Sequence, residues 1–220
     1  MADMTLLGLR ISVYTRIARL ALEEKGIEYD LREVDIFADD GPPADYLALN
    51  PFGTIPTLLH GDFVLYETAA INRYIDEISP GISLQPSLPA ERARMNQIIG
   101  LLDAHCYRPM VWDVYVQRVV VPTAGGVADE DCIAAALPGL RSLLEQLESW
   151  RGAREFLVGH ALSLADLHLY PMLSYFIETG EGARMVDSLP RLQQWFHAME
   201  SRDSVRATPF HQKSDDASDR

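Results

Sequence analysis

The chain has 220 residues, of which 48% are hydrophobic and 23% are charged, so it holds enough apolar material for one large or two small folded domains. Its 32 acidic residues outnumber 19 basic ones and give a formal net charge of −13. Because that charge repels nucleic-acid phosphates and anionic lipid, we expect neither nucleic acid nor a membrane as a partner.

The first eighty residues show patterns that predict alternating strands and helices. Tyr14–Lys25 has helical spacing and ends at Gly26, a good C-terminal cap, and His60-Gly61-Asp62 reads as a hairpin turn. In chain order we expect a strand at Thr5–Leu9, a helix at Tyr14–Lys25, a strand at Glu28–Val34, a helix at Pro43–Leu49, strands at Thr57–Leu59 and Phe63–Tyr66, and a helix at Glu67–Ile78.

The composition changes after residue 78, where a stretch rich in Pro, Gly and Ser runs from Ser79 to Pro89 and indicates a linker. All later patterns are helical: Glu91–Val121 with a kink near Pro109, Asp129–Trp150, Ser163–Glu178 and Leu189–Glu200. The sequence therefore predicts an α+β chain of two domains, an α/β domain at 1–80 and an all-helical domain at 89–206, followed by a polar, disordered tail at 207–220.

Two further observations bear on location and cofactors. Cys106 and Cys132 are too few and too far apart for a disulfide framework, and the chain start has no leader-like segment, so a cytosolic location is favoured. No apolar run approaches the roughly 18 residues of a membrane span, and no spacing of His or Cys fits a metal site.

Hydroxyl residues stand at the predicted entrance of the first helix, in Ser12-Val13-Tyr14-Thr15. The unpaired N–H groups and the dipole at a helix N-terminus attract negative charge, and a hydroxyl there can donate to an anion. Ser or Thr before a helix is more often a plain N-cap, so taken alone the pattern favours that reading.

Two more short motifs precede or follow the predicted hairpin. Thr54-Ile55-Pro56-Thr57 contains a proline beside a strand, and a cis proline there would turn a backbone N–H and C=O outward to pair with an extended ligand. An ordinary trans turn is the alternative. Glu67-Thr68 opens the third helix as a cap or as a binding pair for a ligand that carries both ammonium and carboxylate groups.

In combination these segments resemble the cytosolic glutathione S-transferases, and the serine-type, bacterial-like members among them. The likeness extends into the helical half, where Ser163-Leu164-Ala165-Asp166 is similar to a buried capping box of that family. It implies a thioredoxin-like N-terminal domain that binds glutathione, and an all-helical domain that supplies the pocket for a second, hydrophobic substrate. It also implies a homodimer that serves detoxification.

Carried over residue by residue, the resemblance makes Ser12 the catalytic hydroxyl that hydrogen-bonds the glutathione sulfur, with Thr15 as the rival donor. Ile55 would pair with the cysteinyl part of glutathione next to a cis Pro56. Glu67 and Thr68 would grip the γ-glutamyl end. Thr54 occupies a position where many members carry Lys or Gln for the glycyl carboxylate, which makes it a departure from the family pattern.

For the second substrate we expect a pocket formed by Tyr14, Tyr107 and Met110, in an aromatic and Met-rich stretch that also contains Trp112 and Tyr115. Each of these residues serves equally well as ordinary core.

Phe52 resembles an aromatic residue that inserts between partner helices in some members, and Asp103 would reach toward the neighbouring glutathione.

Because neither Ser12 nor Thr15 is a cysteine, we do not expect transfer through an enzyme disulfide. The same scaffold hosts glutathione-dependent isomerases, dehalogenases and non-catalytic binding proteins, and these stay open as alternatives.

Overall fold

The structure is a computed structural model that describes residues 3–210, and the chain divides into two compact units. The first unit contains the chain up to Pro80 and again from Arg202, and the second is Gly81–Ser201. The break after Pro80 coincides with the predicted end of the first domain.

The other predicted boundaries need correction. The helical unit begins at Gly81 rather than at 89, because Leu84 is buried and its carbonyl accepts a hydrogen bond of 2.9 Å from the Leu164 N–H. It ends at Ser201 rather than at 206, since the following helix packs against the first unit. The predicted tail at 207–220 is wrong for residues 207–210, where Thr208 and Phe210 are buried, while residues 211–220 lie outside the described part of the chain.

Four short strands form the sheet of the first unit, in the spatial order β2-β1-β3-β4. They are β1 (Met4–Leu7), β2 (Asp30–Arg32), β3 (Thr57–His60) and β4 (Phe63–Tyr66). Strand β1 runs parallel to β2 and antiparallel to β3, and β3 and β4 form the predicted hairpin. The alternating apolar residues of the sequence, such as Leu6 and Leu58, are fully buried.

Three helices accompany the sheet: α1 (Val13–Glu24), α2 (Ala44–Leu49) and α3 (Thr68–Ile78). Helices α1 and α3 pack against each other through buried faces that include Ile17 and Ile71. This is the predicted thioredoxin-like α/β domain.

The second unit is entirely helical, as predicted. Its segments are α4 (Pro89–Leu101), the π-helical segments π1 (Leu102–Cys106) and π2 (Arg108–Val120), α5 (Val121–Thr123), α6 (Glu130–Arg151), α7 (Leu164–Ile177), α8 (Gly180–Asp187) and α9 (Pro190–Glu200). Pro109 is the second residue of π2, and it has no N–H to offer a regular helix. The structure shows π-helical winding near Pro109, and the kink stays a prediction.

Two helices were not predicted. Helix α8 begins in Thr179-Gly180-Glu181-Gly182, which reads as a turn, yet the Thr179 hydroxyl caps it by accepting from the Gly182 N–H at 3.1 Å. A Cβ at Gly182 would lie 1.9 Å from the Phe176 carbonyl oxygen, so only glycine allows this close approach. The other is α10 (Asp203–Ala207), in the first unit.

The predicted capping box at the start of α7 is present. The Asp166 carboxylate is fully buried and accepts from the Ser163 N–H and hydroxyl at 2.9 and 2.6 Å. It also accepts from the Leu157 N–H and from the Trp195 indole N–H, each at 2.8 Å. One carboxylate therefore joins the start of α7, the preceding loop and α9.

Candidate active site

The strand register brings the three predicted binding motifs of the first unit to one end of the sheet. Leu7 at the end of β1 is paired with Thr57 at the start of β3, and Thr57 is paired with Tyr66 at the end of β4. The segments that adjoin these three residues carry Ser12, Ile55 and Glu67 respectively. Motifs that are distant in the sequence thus lie at the same end of the sheet.

Ser12 is the N-cap of α1. Its Oγ accepts a hydrogen bond of 3.3 Å from the Thr15 N–H, and its side chain is half-buried. Within residues 3–210 no group accepts the Ser12 hydroxyl hydrogen. The capping role and a donor role are therefore compatible, because capping uses the oxygen lone pair and leaves the O–H free.

Thr15, the rival donor, has a different environment. Its side chain is 0% exposed, and its Oγ1 has no hydrogen-bond partner among the described residues. The hydroxyl faces Gly8, where an added Cβ would lie 2.4 Å from Thr15 Oγ1. Gly8 therefore allows Thr15 to pack directly beneath the end of β1, and no pattern in the sequence indicates this pairing.

The Ile55–Pro56 peptide bond is cis, as predicted. Ile55 and Pro56 are buried, and among the described residues no hydrogen bond engages the Ile55 backbone. Thr54 is exposed, and its side chain extends from the same loop. A backbone N–H and C=O without internal partners can pair with an extended ligand.

A buried polar network that sequence reasoning missed holds this loop. The Asn50 side-chain amide donates to the Thr54 carbonyl at 2.8 Å and to Thr57 Oγ1 at 3.2 Å, and its oxygen accepts from the Phe52 N–H at 3.1 Å. The Tyr46 hydroxyl donates to the same Thr54 carbonyl. Burial raises the pKa of Tyr46, so its phenol stays protonated as a donor. The only signal for this network in the sequence was the Asn50-Pro51 turn.

Glu67 adopts φ 72° and ψ 106°, a backbone conformation that non-glycine residues rarely adopt. Its side chain is exposed and makes no capping hydrogen bond, while Thr68 is 7% exposed. Neither side chain has a hydrogen-bond partner among residues 3–210. Glu67 therefore does not cap α3 with its side chain, and its carboxylate stays available at this end of the sheet.

The residues predicted for the second-substrate pocket differ in their exposure to solvent. Tyr14 in α1 and Tyr107 before π2 are half-buried, and the Tyr107 hydroxyl accepts from the Trp112 indole N–H at 3.1 Å. Met110 is 0% exposed. Tyr115 is buried as well, at 7% exposure, and the assignment of Met110 to the second-substrate pocket stays a prediction.

Asp103 has a partner within its own chain. Its carboxylate accepts from His168 Nε2 at 2.7 Å, and His168 is 1% exposed. Phe52, by contrast, is 70% exposed and contacts the Tyr66 ring edge-on, with ring centroids 5.7 Å apart.

Both cysteines are free thiols. Burial raises the pKa of Cys106 to about 12, and burial together with Asp113 and Asp129 raises that of Cys132. Across residues 3–210, no three His, Cys, Asp or Glu side chains are grouped to hold a metal ion. No helix in that range combines the length and apolar character needed to cross a bilayer.

Comparison with known proteins gives a consistent result. The family model of the glutathione S-transferase N-terminal domain matches residues 11–78, and that of the C-terminal domain matches residues 107–203. Glutathione S-transferase F13 of Arabidopsis thaliana is 30% identical over 201 residues, which is 90% of this chain and 91% of the relative. Glutathione S-transferase 3 of Zea mays is 31% identical over 212 residues, covering 94% of each. Both relatives are plant enzymes, and the likeness to bacterial, serine-type members stays a prediction.

Solved structures agree. A theta-class glutathione S-transferase from the citrus canker pathogen Xanthomonas axonopodis pv. citri, with glutathione bound, has a TM-score of 0.81 and 30% identity over 96% of this chain and 99% of its own. Glutathione transferase F7 from Populus trichocarpa has a TM-score of 0.82 and 29% identity over 93% and 97%. The chain therefore belongs to the glutathione S-transferase family and is a glutathione S-transferase.

Proposed function

We propose that this enzyme joins the glutathione thiolate to small hydrophobic electrophiles, and that the Ser12 hydroxyl stabilises the thiolate. The observation that carries the proposal is the contrast between two nearby hydroxyls. Ser12 is half-buried with its O–H unused among the described residues, whereas the Thr15 hydroxyl has no exposed surface.

The Ser12 hydroxyl and the start of α1 supply enough free energy to lower the pKa of the glutathione thiol. A cysteine thiol titrates near pH 8.5, and each unit of lowering needs about 1.4 kcal/mol of preference for the thiolate. A hydrogen bond to a charged group supplies about 1.5 to 3 kcal/mol, and a helix N-terminus about 0.3 to 1 kcal/mol more. The Ser12 hydroxyl and the start of α1 would together lower the thiol pKa by about one to three units. Ser12 keeps its proton throughout and acts as a donor.

The residues at this end of the sheet offer a hydrogen-bond or ionic partner to each part of glutathione. The unengaged N–H and C=O of Ile55 suit the cysteinyl main chain, which would place the sulfur toward Ser12. The free carboxylate of Glu67 suits the γ-glutamyl ammonium, and the Thr68 hydroxyl at the start of α3 suits the carboxylate beside it. Thr54 is exposed and offers a neutral hydroxyl to the glycyl end. The bound glutathione named for the Xanthomonas structure supports this choice of ligand.

For the electrophile, we propose Tyr14, Tyr107 and Met110 as the pocket residues. Both tyrosines are partly accessible, and each brings an apolar ring with a polar tip. Burial raises the pKa of Tyr107, so its phenol is a neutral donor over the physiological range.

We further propose that the enzyme is a homodimer in the cytosol. Phe52 supports the first statement, because it resembles an aromatic residue that inserts between partner helices in some members of the family and its ring is 70% exposed. The two unpaired cysteines support the second.

The test is a rate measurement on a panel of halogenated aromatics, epoxides and isothiocyanates at saturating glutathione. Loss of a hydrogen bond to a charged group predicts that Ser12→Ala lowers kcat by about 10- to 150-fold. The matched control is Thr15→Val, which removes the buried hydroxyl with little change of shape and should leave kcat within about threefold.

Wild-type rates in Ser12→Ala, or a larger loss in Thr15→Val, would contradict the Ser12 assignment. Turnover confined to cis-dienes or to haloalkanes, assayed beside that panel, would replace conjugation by isomerisation or dehalogenation as the proposed reaction.

A further inference from the structure

The end of the described chain returns to the first unit and lies against the helix that carries Ser12. We call Arg202–Phe210 the C-terminal strap. It contains α10, which packs against α1, and it belongs to the same compact unit as α1.

One end of the strap is fixed by an ion pair at the C-terminal end of α1. Arg202 donates from Nε and Nη2 to the two Glu24 carboxylate oxygens, at 2.7 and 2.8 Å, and the Ser204 hydroxyl donates to the same carboxylate. Burial by itself would raise the pKa of Glu24, but the hydrogen bonds from Arg202 and Ser204 outweigh it and hold the pKa below its ordinary value. This paired geometry is the strong form of an arginine-carboxylate contact.

The middle of the strap is held by Arg19, which is 3% exposed. Its Nη2 donates to the Ala207 carbonyl at 3.3 Å, and its Nε donates to the Tyr29 hydroxyl at 3.2 Å. A buried guanidinium is costly unless its N–H groups are paired, so the strap's carbonyl helps to keep Arg19 in place.

The far end reaches the first turn of α1. The Arg16 guanidinium lies over the Phe210 ring at 4.2 Å from the centroid, and the two residues are 5% and 7% exposed. The Arg16 N–H donates to the Ser12 carbonyl at 2.9 Å. The ring of Phe210 is therefore two contacts away from Ser12, through one side chain and one backbone hydrogen bond.

The contact points Arg16 and Glu24 are eight residues apart, with Arg19 between them, so the strap contacts α1 from its first turn to its last residue. A helix held at both ends has little freedom to tilt or to fray at its first turn. A donor that must meet a sulfur at hydrogen-bond distance loses its effect when the turn that carries it moves.

We propose that Phe210 is a positioning residue, which fixes the first turn of α1 and thereby the direction of the Ser12 hydroxyl. This proposal rests on the proposed role of Ser12. Phe210 acts through Arg16 and touches no substrate in this scheme.

The experiment compares Phe210→Ala with Phe210→Tyr, which keeps an aromatic ring, and with Phe37→Ala. Phe37 is 60% exposed in the same unit, so its replacement removes an equal ring without touching the strap. Two readouts are recorded: amide hydrogen exchange of the first turn of α1 without ligand, and the thiol pKa of bound glutathione from its ultraviolet absorbance.

In Phe210→Ala we expect exchange at the Arg16 and Ile17 amides to accelerate about tenfold, since a lost cation–π contact and ring together loosen the turn. The bound thiol pKa should rise by about half a unit, and kcat below pH 7 should fall about threefold with it. Phe210→Tyr and Phe37→Ala should match the wild type in both readouts.

Unchanged exchange in Phe210→Ala would overturn the strap proposal and leave the role of Ser12 untouched. Faster exchange with an unchanged thiol pKa would show a purely structural contact and also overturn it. An unchanged thiol pKa in Ser12→Ala would instead remove the proposed function on which the strap depends.

Discussion

The contact between Gly8 and Thr15 can be tested by adding a single methyl group beneath the active-site helix. In Gly8→Ala the new Cβ would lie 2.4 Å from Thr15 Oγ1 and 3.1 Å from its Cγ2, and Thr15 is 0% exposed with no room to withdraw. Overpacking of this kind costs about 1 to 3 kcal/mol. Opening of the first unit should therefore become about 5- to 150-fold more frequent.

The assay is native-state amide hydrogen exchange of β1 and α1, which reports the opening of this unit independently of the helical one. Gly8→Ala should accelerate exchange by the factor given, and Thr15→Ala introduced with it should restore most of the protection. Thr15→Ala removes both offending atoms and leaves only Thr15 Cβ, at 3.3 Å from the new methyl group.

Thr15→Val is the matched control, because valine keeps two branches on Cβ and should not rescue Gly8→Ala. Alone, Thr15→Val should be neutral or stabilising, since it removes a buried hydroxyl that has no partner among the described residues. Wild-type exchange in Gly8→Ala, or equal rescue by valine and alanine, would refute the reasoning.

Three further outcomes follow from buried charges and thiols. Lys25 and Asp76 form an ion pair at 3.0 Å, and their side chains are only 2% exposed. Lys25→Met alone removes one partner of this buried ion pair and should destabilise the first unit by about 3 to 5 kcal/mol, as measured by hydrogen exchange. The double variant with Asp76→Leu should recover most of that stability. Cys106 and Cys132, whose raised pKa values keep them as thiols at about pH 7.5, should react slowly with iodoacetamide, and activity lost in step with alkylation would contradict this. The pKa of Glu24 is lower in the folded protein than its ordinary value of 4.5. The Glu24 carboxylate therefore contributes its full stabilisation above pH 4.5, and this stabilisation is lost as the pH falls through the folded pKa. Glu24→Gln should make the free energy of unfolding less dependent on pH between about pH 5 and pH 3.

The first unit was the more predictable part, for reasons that are local in the chain. Period-two alternation, the Gly61 turn and the helical spacing of α1 and α3 depend on neighbouring residues, and each element lies within a few residues of its expected place. The convergence of Ser12, Ile55 and Glu67 could be anticipated only through a family resemblance, because strand order is set by contacts between distant segments.

The details of the helical unit and the position of the C-terminal strap depend on tertiary contacts that no local sequence pattern indicates. The π-helical winding at Leu102–Cys106 and Arg108–Val120 has no signal in the sequence, whose periodicity predicts a helix there without indicating its winding. Helix α8 needed the close approach of Gly182 to Phe176, and the strap needed Arg202 to meet Glu24 across 178 residues of chain. Residues 207–210 belong to the segment 207–220, whose polar composition predicts a tail because composition carries no information about a partner surface.

The same limit applies to the site. The position of Ser12 before a helix favours a plain N-cap by itself, so only the family resemblance nominates Ser12 as the thiolate donor, and the choice between Ser12 and Thr15 depends on burial. Burial of Thr15 involves Gly8, seven residues earlier and directly after the end of β1.

The most direct measurement of the central claim is the ultraviolet thiolate absorbance of bound glutathione as a function of pH in the wild type, Ser12→Ala and Thr15→Val. A thiol pKa about one to three units below that of free glutathione, retained in Thr15→Val and lost in Ser12→Ala, is the predicted result. A lowered pKa that survives in Ser12→Ala, or one that disappears only in Thr15→Val, would contradict the assignment of Ser12 as the thiolate donor.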